Sequence, residues 1–300
     1  MFNVLKYYKF WFALSAALFV IAIAATIMFG LNLGIDFKGG TLTQLTFIDQ
    51  SPQQGEIRDT LAQNSFDGAI VQQTDEKQFI IRTGPQEPEQ HDQLLKVISD
   101  KYGEIREDQY TSIGPVIGKE LTNKALWQLL LVSLGIVLYI AYAFRKVTRP
   151  VSSWRFGWSA IIALLHDLAI VVGVFAVLGK FKGVEVDGLF VTALLTVLGF
   201  SVHDTIVVFD RIRENLKLRA GESLSEIINS SISQTLVRSI NTSLTIVFVL
   251  VALLLFGGES IRYFVMALLV GIIAGTYSSI FIASPLLLAW YNWDVKRREK

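Results

Sequence analysis

The chain has 300 residues, 52% of them hydrophobic and only 18% charged, with a mean hydropathy of +0.48. This balance excludes an ordinary soluble domain and places the chain in the membrane class. A net charge of +1 implies no nucleic-acid partner, and the lack of any cysteine excludes disulfides, thiolate metal sites and cysteine catalysis.

The first apolar run, Phe10–Leu31, is long and is followed by others, so it reads as a membrane anchor and not as a cleaved signal. Asp36-Phe37-Lys38-Gly39-Gly40 follows at once; its paired glycines suit a sharp turn from helix into strand. Asn32–Lys124 is the one large polar segment, with 15 acidic against 9 basic residues. Within it Thr41–Phe47 alternates like a strand and Pro52–Asn64 looks helical. Ala69–Thr74 and Gln78–Thr83 read as a hairpin around Asp75-Glu76-Lys77, Pro88–Tyr102 as a helix and Glu104–Ile113 as a strand. The order β-α-β-β-α-β predicts a ferredoxin-like fold. Gly114-Pro115 and Gly118 form a second glycine-containing joint, so this domain is expected to move on its two attachments, unless the glycines only make tight turns.

Five further apolar runs follow: Ala125–Phe144, Gly157–Gly179, Leu189–Phe209, Ile240–Phe256 and Tyr263–Trp290. Each is long enough to cross about 30 Å of hydrocarbon as a helix. The predicted fold class is thus an α-helical membrane protein of six transmembrane helices, with a small α+β domain between the first and second. The predicted segments are 1–31, the first helix; 32–124, the extracytoplasmic domain; and 125–300, five helices with a cytoplasmic tail. Orientation follows from basic residues in short loops. Arg145, Lys146, Arg149 and Arg155, then Arg211, Arg213, Lys217 and Arg219, then Lys296, Arg297, Arg298 and Lys300 share a side with Lys6 and Lys9. That side, with both termini, is predicted to be cytoplasmic. Ser223 and Glu226 form a capping-box pattern that would start a helix along the membrane surface before the fifth span. Gly271, Gly275 and Ser279 make a stripe of small residues suited to close helix packing.

The chemistry-bearing residues lie inside the spans. His166-Asp167 is in the third and His203-Asp204 in the fourth. A carboxylate at the bilayer centre costs about 2.5–3.5 kcal/mol on insertion scales, so it normally faces a protein interior or a water-filled path and has a partner. Counted from the outer ends, Asp204 lies roughly 22 Å deep, Asp167 roughly 18 Å and Arg238 roughly 27 Å. Asp204 and Arg238 are therefore expected to share one layer, where burial and an Arg act on the Asp in opposite senses. The competing reading is a structural ion pair locking two helices. His166 and His203 read as hydrogen-bonding neighbours and not as metal ligands, because adjacent helical residues point about 100° apart. No H-E-x-x-H, phosphate loop, or G-x-G-D with P-A-L occurs, which argues against a zinc protease, an ATPase and an intramembrane aspartyl protease.

Three stretches carry a resemblance: Leu33–Gly40 (LGIDFKGG), Ile113–Leu121 (IGPVIGKEL) and Thr196–Asn215 (TVLGFSVHDTIVVFDRIREN). Together they resemble the SecD–SecF family of protein-export membrane proteins, over nearly the whole chain and in the same order. The resemblance implies an RND-like half-bundle in the bacterial inner membrane that pairs with SecD. It implies a helper of the SecYEG channel and the SecA motor, with YajC a further candidate partner, acting on unfolded secreted polypeptide. It implies no cofactor and no reaction of its own, the work coming from a proton gradient. The family's membrane Asp maps onto Asp204 and its Arg onto Arg238. The relay residues are expected to be Asp204, Arg238, His203 and Asp167, and the turn motif Asp36, Gly39 and Gly40. Where the family is expected to carry Asn or another small polar residue before the Asp, this chain has His203, so proton and sodium coupling both stay open. The alternative function is a half-sized RND-type exporter of small molecules, which would need an apolar ligand pocket in the outer domain.

Overall fold

The structure, a computed structural model, describes residues 4–49, 51–145, 151–219 and 221–298. Lys146, Arg149 and Lys300, used above to orient the chain, lie outside the described residues. The chain divides into two compact units: residues 33–126, and residues 1–32 together with 127–300.

In the smaller unit a one-turn helix α2 (Ile35–Lys38) leads into β1 (Gly40–Phe47). Then come α3 (Gln54–Gln63), β2 (Ile70–Asp75), β3 (Gln78–Thr83), α4 (Pro88–Tyr102) and β4 (Ile105–Ile113). The strands form one antiparallel sheet in the order β2-β3-β1-β4. Alternation along β1 and β3 sends Leu45, Phe47, Phe79 and Ile81 into the core. There they meet Ile57 and Leu61 of α3 and Leu94, Ile98 and Tyr102 of α4. Helix α3 starts two residues later than the expected Pro52, because the Gln53 backbone N–H binds Glu56 Oε2 at 3.2 Å and fixes the cap there. The hairpin turn is shorter than expected: Asp75 still pairs with Gln78, leaving Glu76 and Lys77 to turn.

The Gly-Gly turn is a packed joint. Gly39 and Gly40 have φ of +79° and +140°, values that L side chains rarely adopt. A Cβ on Gly39 would come within 2.9 Å of Pro115 Cα, and one on Gly40 within 2.8 Å of the Thr83 carbonyl oxygen. A Cβ on Gly118 would likewise meet the Phe37 carbonyl oxygen at 2.9 Å. The two glycine-containing joints therefore rest on each other through backbone contact.

The larger unit holds the apolar helices. They are α1 (Tyr8–Phe29), α5 (Pro115–Ala143, which begins in the smaller unit), α6 (Ser153–Lys182), α7 (Gly188–Leu218), α8 (Leu224–Phe256), and a last span made of α9 (Glu259–Ser278) and α10 (Ser284–Arg298). Among the described residues, six spans are long and apolar enough to cross a membrane. Most helices outrun their apolar runs: α5 begins at Pro115 instead of Ala125, and α7 continues past Phe209 to Leu218. Caps set these ends. Asp187 accepts the Phe190 N–H at 2.9 Å before α7, and Ser223 and Glu226 form the predicted capping box before α8. The helix started at Ser223 is not separate from the fifth span: α8 runs unbroken from Leu224, since no Pro or Gly falls between Ser223 and the apolar run. The last span contains a π turn, Ser279–Ala283, which the periodicity did not predict.

Candidate functional site

Helices α6, α7 and the last span form the middle of the membrane unit, where half or more of each span's most apolar stretch is buried. Close approach is set by small residues. A Cβ on Gly271 would come within 2.2 Å of Val197 Cγ2, and one on Gly275 within 2.9 Å of Ser201 Cβ, so α7 and α9 meet along the predicted small stripe. On the other side, a Cβ on Gly173 of α6 would lie 2.6 Å from Ala22 Cα of α1. In the bilayer, where no water drives helices together, such contacts and interhelical hydrogen bonds carry the packing.

Two carboxylates sit in this interior. Asp167 on α6 is fully buried. Its Oδ2 accepts from Ser201 Oγ of α7 and from Ser278 Oγ of α9, each at 2.6 Å, and its Oδ1 lies 3.1 Å from His166 Nδ1. Two hydroxyls from two other helices thus donate to one carboxyl oxygen. Asp204 on α7 is 2% exposed. It accepts from Ser243 Oγ of α8 at 3.4 Å. Ser243 and Thr276 are themselves 2.6 Å apart. Ser201 lies three residues before Asp204 and Ser278 two after Thr276, so α7 and α9 both carry a donor to Asp167, while α7 also carries Asp204 and α9 the partner of its donor Ser243.

His166 is buried, with its ring stacked near Phe19 and tilted toward Tyr277. It lines a largely apolar groove of about 380 Å³ between α1, α6 and the last span, with Phe12, Ser15 and Leu286 among the other walls. His203 is exposed, on a different face of α7 from Asp204.

The expected Asp204–Arg238 pair is not formed within this chain. Among the described residues no ion pair joins them, and Arg238 is exposed. The residue of α8 at the level of Asp204 is Ser243, five positions further along, which places Arg238 roughly 7.5 Å away along the helix axis. The depth count erred because it took the outer ends of α7 and α8 as level, whereas the Ser243–Asp204 contact sets the two helices in a different register. Asp36, Gly39 and Gly40 lie in the smaller unit, at the turn described above. Among the described residues no group of three His, Asp or Glu side chains gathers as a metal site would require.

Sequence reasoning missed Ser201, Ser243, Thr276 and Ser278. A usable signal was present: each is a hydroxyl inside an apolar run, at or beside a small-residue stripe, and a buried carboxylate needs donors.

Fold and site together define a multi-pass membrane protein with a polar layer buried among its central helices. The family described as "Protein export membrane protein SecD/SecF, C-terminal" matches residues 93–293, and the "SecD/SecF GG Motif" matches residues 24–47. The protein translocase subunit SecF of Thermobaculum terrenum is 47% identical, over 99% of this chain and 96% of its own length. The protein translocase subunit SecDF of Bacillus subtilis is 35% identical over 96% of this chain and 38% of its own length. The crystal structure of SecDF, a translocon-associated membrane protein of Thermus, superposes with a TM-score of 0.84 at 35% identity. That match covers 97% of this chain and 39% of the solved one, so this chain spans about two fifths of that protein. The chain belongs to the SecD/SecF family, on its SecF side.

Proposed function

We propose that this protein is an inner-membrane subunit of Sec protein export that, with SecD, couples a proton or sodium gradient to late-stage polypeptide translocation. One observation carries the coupling: Asp204 is buried within the bundle and accepts from the Ser243 hydroxyl, and among the described residues no salt bridge reaches it. A carboxylate so placed binds a proton or ion and then needs a path for it. His203 stands exposed next to it on α7, and Arg238 stands exposed five positions before Ser243, toward the start of α8. SecD supplies the facing half of that path; the SecDF chain of Bacillus subtilis, of which this chain matches 38%, supports the pairing.

The smaller unit is a ferredoxin-like domain on the outer side of the membrane, with both termini cytoplasmic. Its β-α-β-β-α-β order and its sheet order support the fold, and the basic short loops support the orientation. It handles emerging polypeptide, while SecYEG, SecA and YajC complete the machinery on the same family resemblance. Ion movement makes about 2.3 kcal/mol available per charge per 100 mV, enough to bias a domain between two states.

The test is export in vesicles with and without an imposed gradient. Asp204→Asn keeps the shape and removes the titratable charge, so the gradient-dependent part of export is lost while assembly with SecD survives. Undiminished gradient-dependent export in that variant refutes the coupling.

A further inference from the structure

Asp167 and Asp204 are both buried carboxylates, but their surroundings differ in kind. Asp167 is enclosed on three sides by this chain's own donors: His166 of its own helix, Ser201 of α7 and Ser278 of α9. Asp204 has one such donor, Ser243 of α8, and the residue before it on its own helix, His203, is exposed. We propose that Asp167 is a positioning residue for Asp204, and that the ion does not pass through it. The proposal rests on the reading of Asp204 as the ion-handling group.

The geometry runs through α7 and α9. Three residues of helix turn through about 300°, so Ser201 and Asp204 lie about 60° apart on neighbouring faces of α7. Holding Ser201 against Asp167 on one side therefore fixes the rotation that brings Asp204 toward Ser243. On α9, Thr276 and Ser278 are two residues apart and so point about 160° from each other. Ser278 bonds α6 on one side; Thr276 bonds Ser243 of α8 on the other. Helix α9 is strung between the two carboxylate layers.

The π turn lies directly beside this tether. It begins at Ser279, directly after Ser278, and Ser284 Oγ bonds the Ser279 carbonyl oxygen five residues back. Such wide turns interrupt the regular ladder and recur at functional sites. The wider turn offsets the rotational phase of α9 from that of α10, so contacts with other helices set which face α9 turns to α6 and α8. Asp167 supplies the contact on the α6 side. Gly275 lets it form, since a side chain there would push Ser201 away.

The test separates a positioning carboxylate from a relay carboxylate through Asn. In Asp167→Asn the amide oxygen still accepts from both Ser201 and Ser278, whereas nothing titrates. In Asp167→Ala both hydroxyls lose their acceptor. The same loss from the other side comes from Ser201→Ala with Ser278→Ala, which leaves Asp167 in place. The full chain with its partner subunit is placed in vesicles, and two quantities are read. One is gradient-dependent export. The other is the infrared carboxyl band of Asp204, assigned as the band missing in Asp204→Asn.

Asp167→Asn is expected to keep most of the export rate and the Asp204 band position. Asp167→Ala and the double serine variant are expected to displace that band and to slow export by about tenfold or more, the scale of a misplaced reacting group. If Asp167→Asn is as inactive as Asp167→Ala, Asp167 is a relay member and the proposal is overturned. If the band stays in place in the double serine variant, which adds no volume to the core, the proposal is equally overturned. Should Asp204→Asn itself leave export intact, the ion-coupling reading falls alone, and the band shift still decides whether Asp167 positions Asp204.

Discussion

In residues 33–126 the core is made of bulk: Phe47, Phe79, Tyr102, Ile57, Leu61, Leu94 and Ile98 fill the space between one sheet face and two helices. In the middle of the membrane unit the tightest contacts are made by what is missing, at Gly173 on Ala22, Gly271 on Val197 and Gly275 on Ser201. Large side chains there lie inside, as at Phe156, Phe175 and Phe209, and also cover the outward faces, as at Leu130, Leu134, Phe248 and Phe256. The contrast follows from solvent. Water drives carbon inward in the small unit. Lipid tails are as apolar as leucine, so in the bilayer the interior is free to hold glycine, serine and two carboxylates. The same property that makes close packing necessary there also makes room for an ion site.

The largest expected effect that would break this contrast is in the small unit. Phe79 is fully buried, edge-on to Phe47 at 5.4 Å. Phe79→Ala should destabilise the unit by about 3–5 kcal/mol, read as lost hydrogen-exchange protection in α4 and β1 with α6 and α7 unaffected. Protection lost equally in both units would mean that they share one cooperative core.

A smaller effect of opposite kind is expected at the membrane helices, where adding atoms and not removing them does the damage. Gly173→Ala places a Cβ 2.6 Å from the Ala22 Cα. That neighbour is backbone and cannot swing aside, so α1 and α6 must part, at about 1–3 kcal/mol. Gly271→Ala should cost less, because its nearest neighbour is the Val197 side chain, and Val197→Ala should restore most of the loss. Thermal unfolding in detergent of both single variants and the double measures this. Additive losses at Gly271 and Val197 would place their contact elsewhere.

How far the sequence disclosed each region follows from the same contrast. Alternation at Thr41–Phe47 and Gln78–Thr83 and the helical stripe of Leu94 and Ile98 announced the small unit, because burial there imposes a period. The apolar runs announced the spans by length, but lipid-facing and buried leucines look alike in sequence. Which helices touch was visible only at Gly271 and Gly275. The carboxylates stood out by their cost in the bilayer, whereas their donors did not, since Ser243 and Ser278 are unremarkable singly. Arg238 was misplaced because apolar runs do not reveal how far one helix is shifted along its neighbour, and only the Ser243–Asp204 contact shows it.

The smallest expected effect tests the polar side of the small unit's sheet. Gln44 faces Gln109 and Leu45 faces Glu107, so Asp108 is the extra residue of a β-bulge in β4. The bulge turns its carboxylate onto Thr46, with Arg106 Nε at 2.8 Å and Gln78 Nε2 at 3.2 Å. Partial burial alone would push its pKa up, but the hydrogen bonds from Thr46, Arg106 and Gln78 outweigh this and hold it below the ordinary carboxylate value. A folded pKa below the unfolded one means that the unfolded chain binds the proton more readily. The contribution is therefore complete above the unfolded value of about 3.9, and it is lost as pH falls through the lower folded value. Asp108→Asn should leave the acid unfolding of the small unit with a shallower dependence on pH below about 4, followed by circular dichroism. It should change little at neutral pH beyond the lost Arg106 contact, which is largely solvent-facing on the arginine side. An unchanged acid slope in that variant would show that the bulge does not hold the carboxylate on its donors, and that this face of the sheet is as indifferent to its side chains as the lipid-facing surface of the membrane unit.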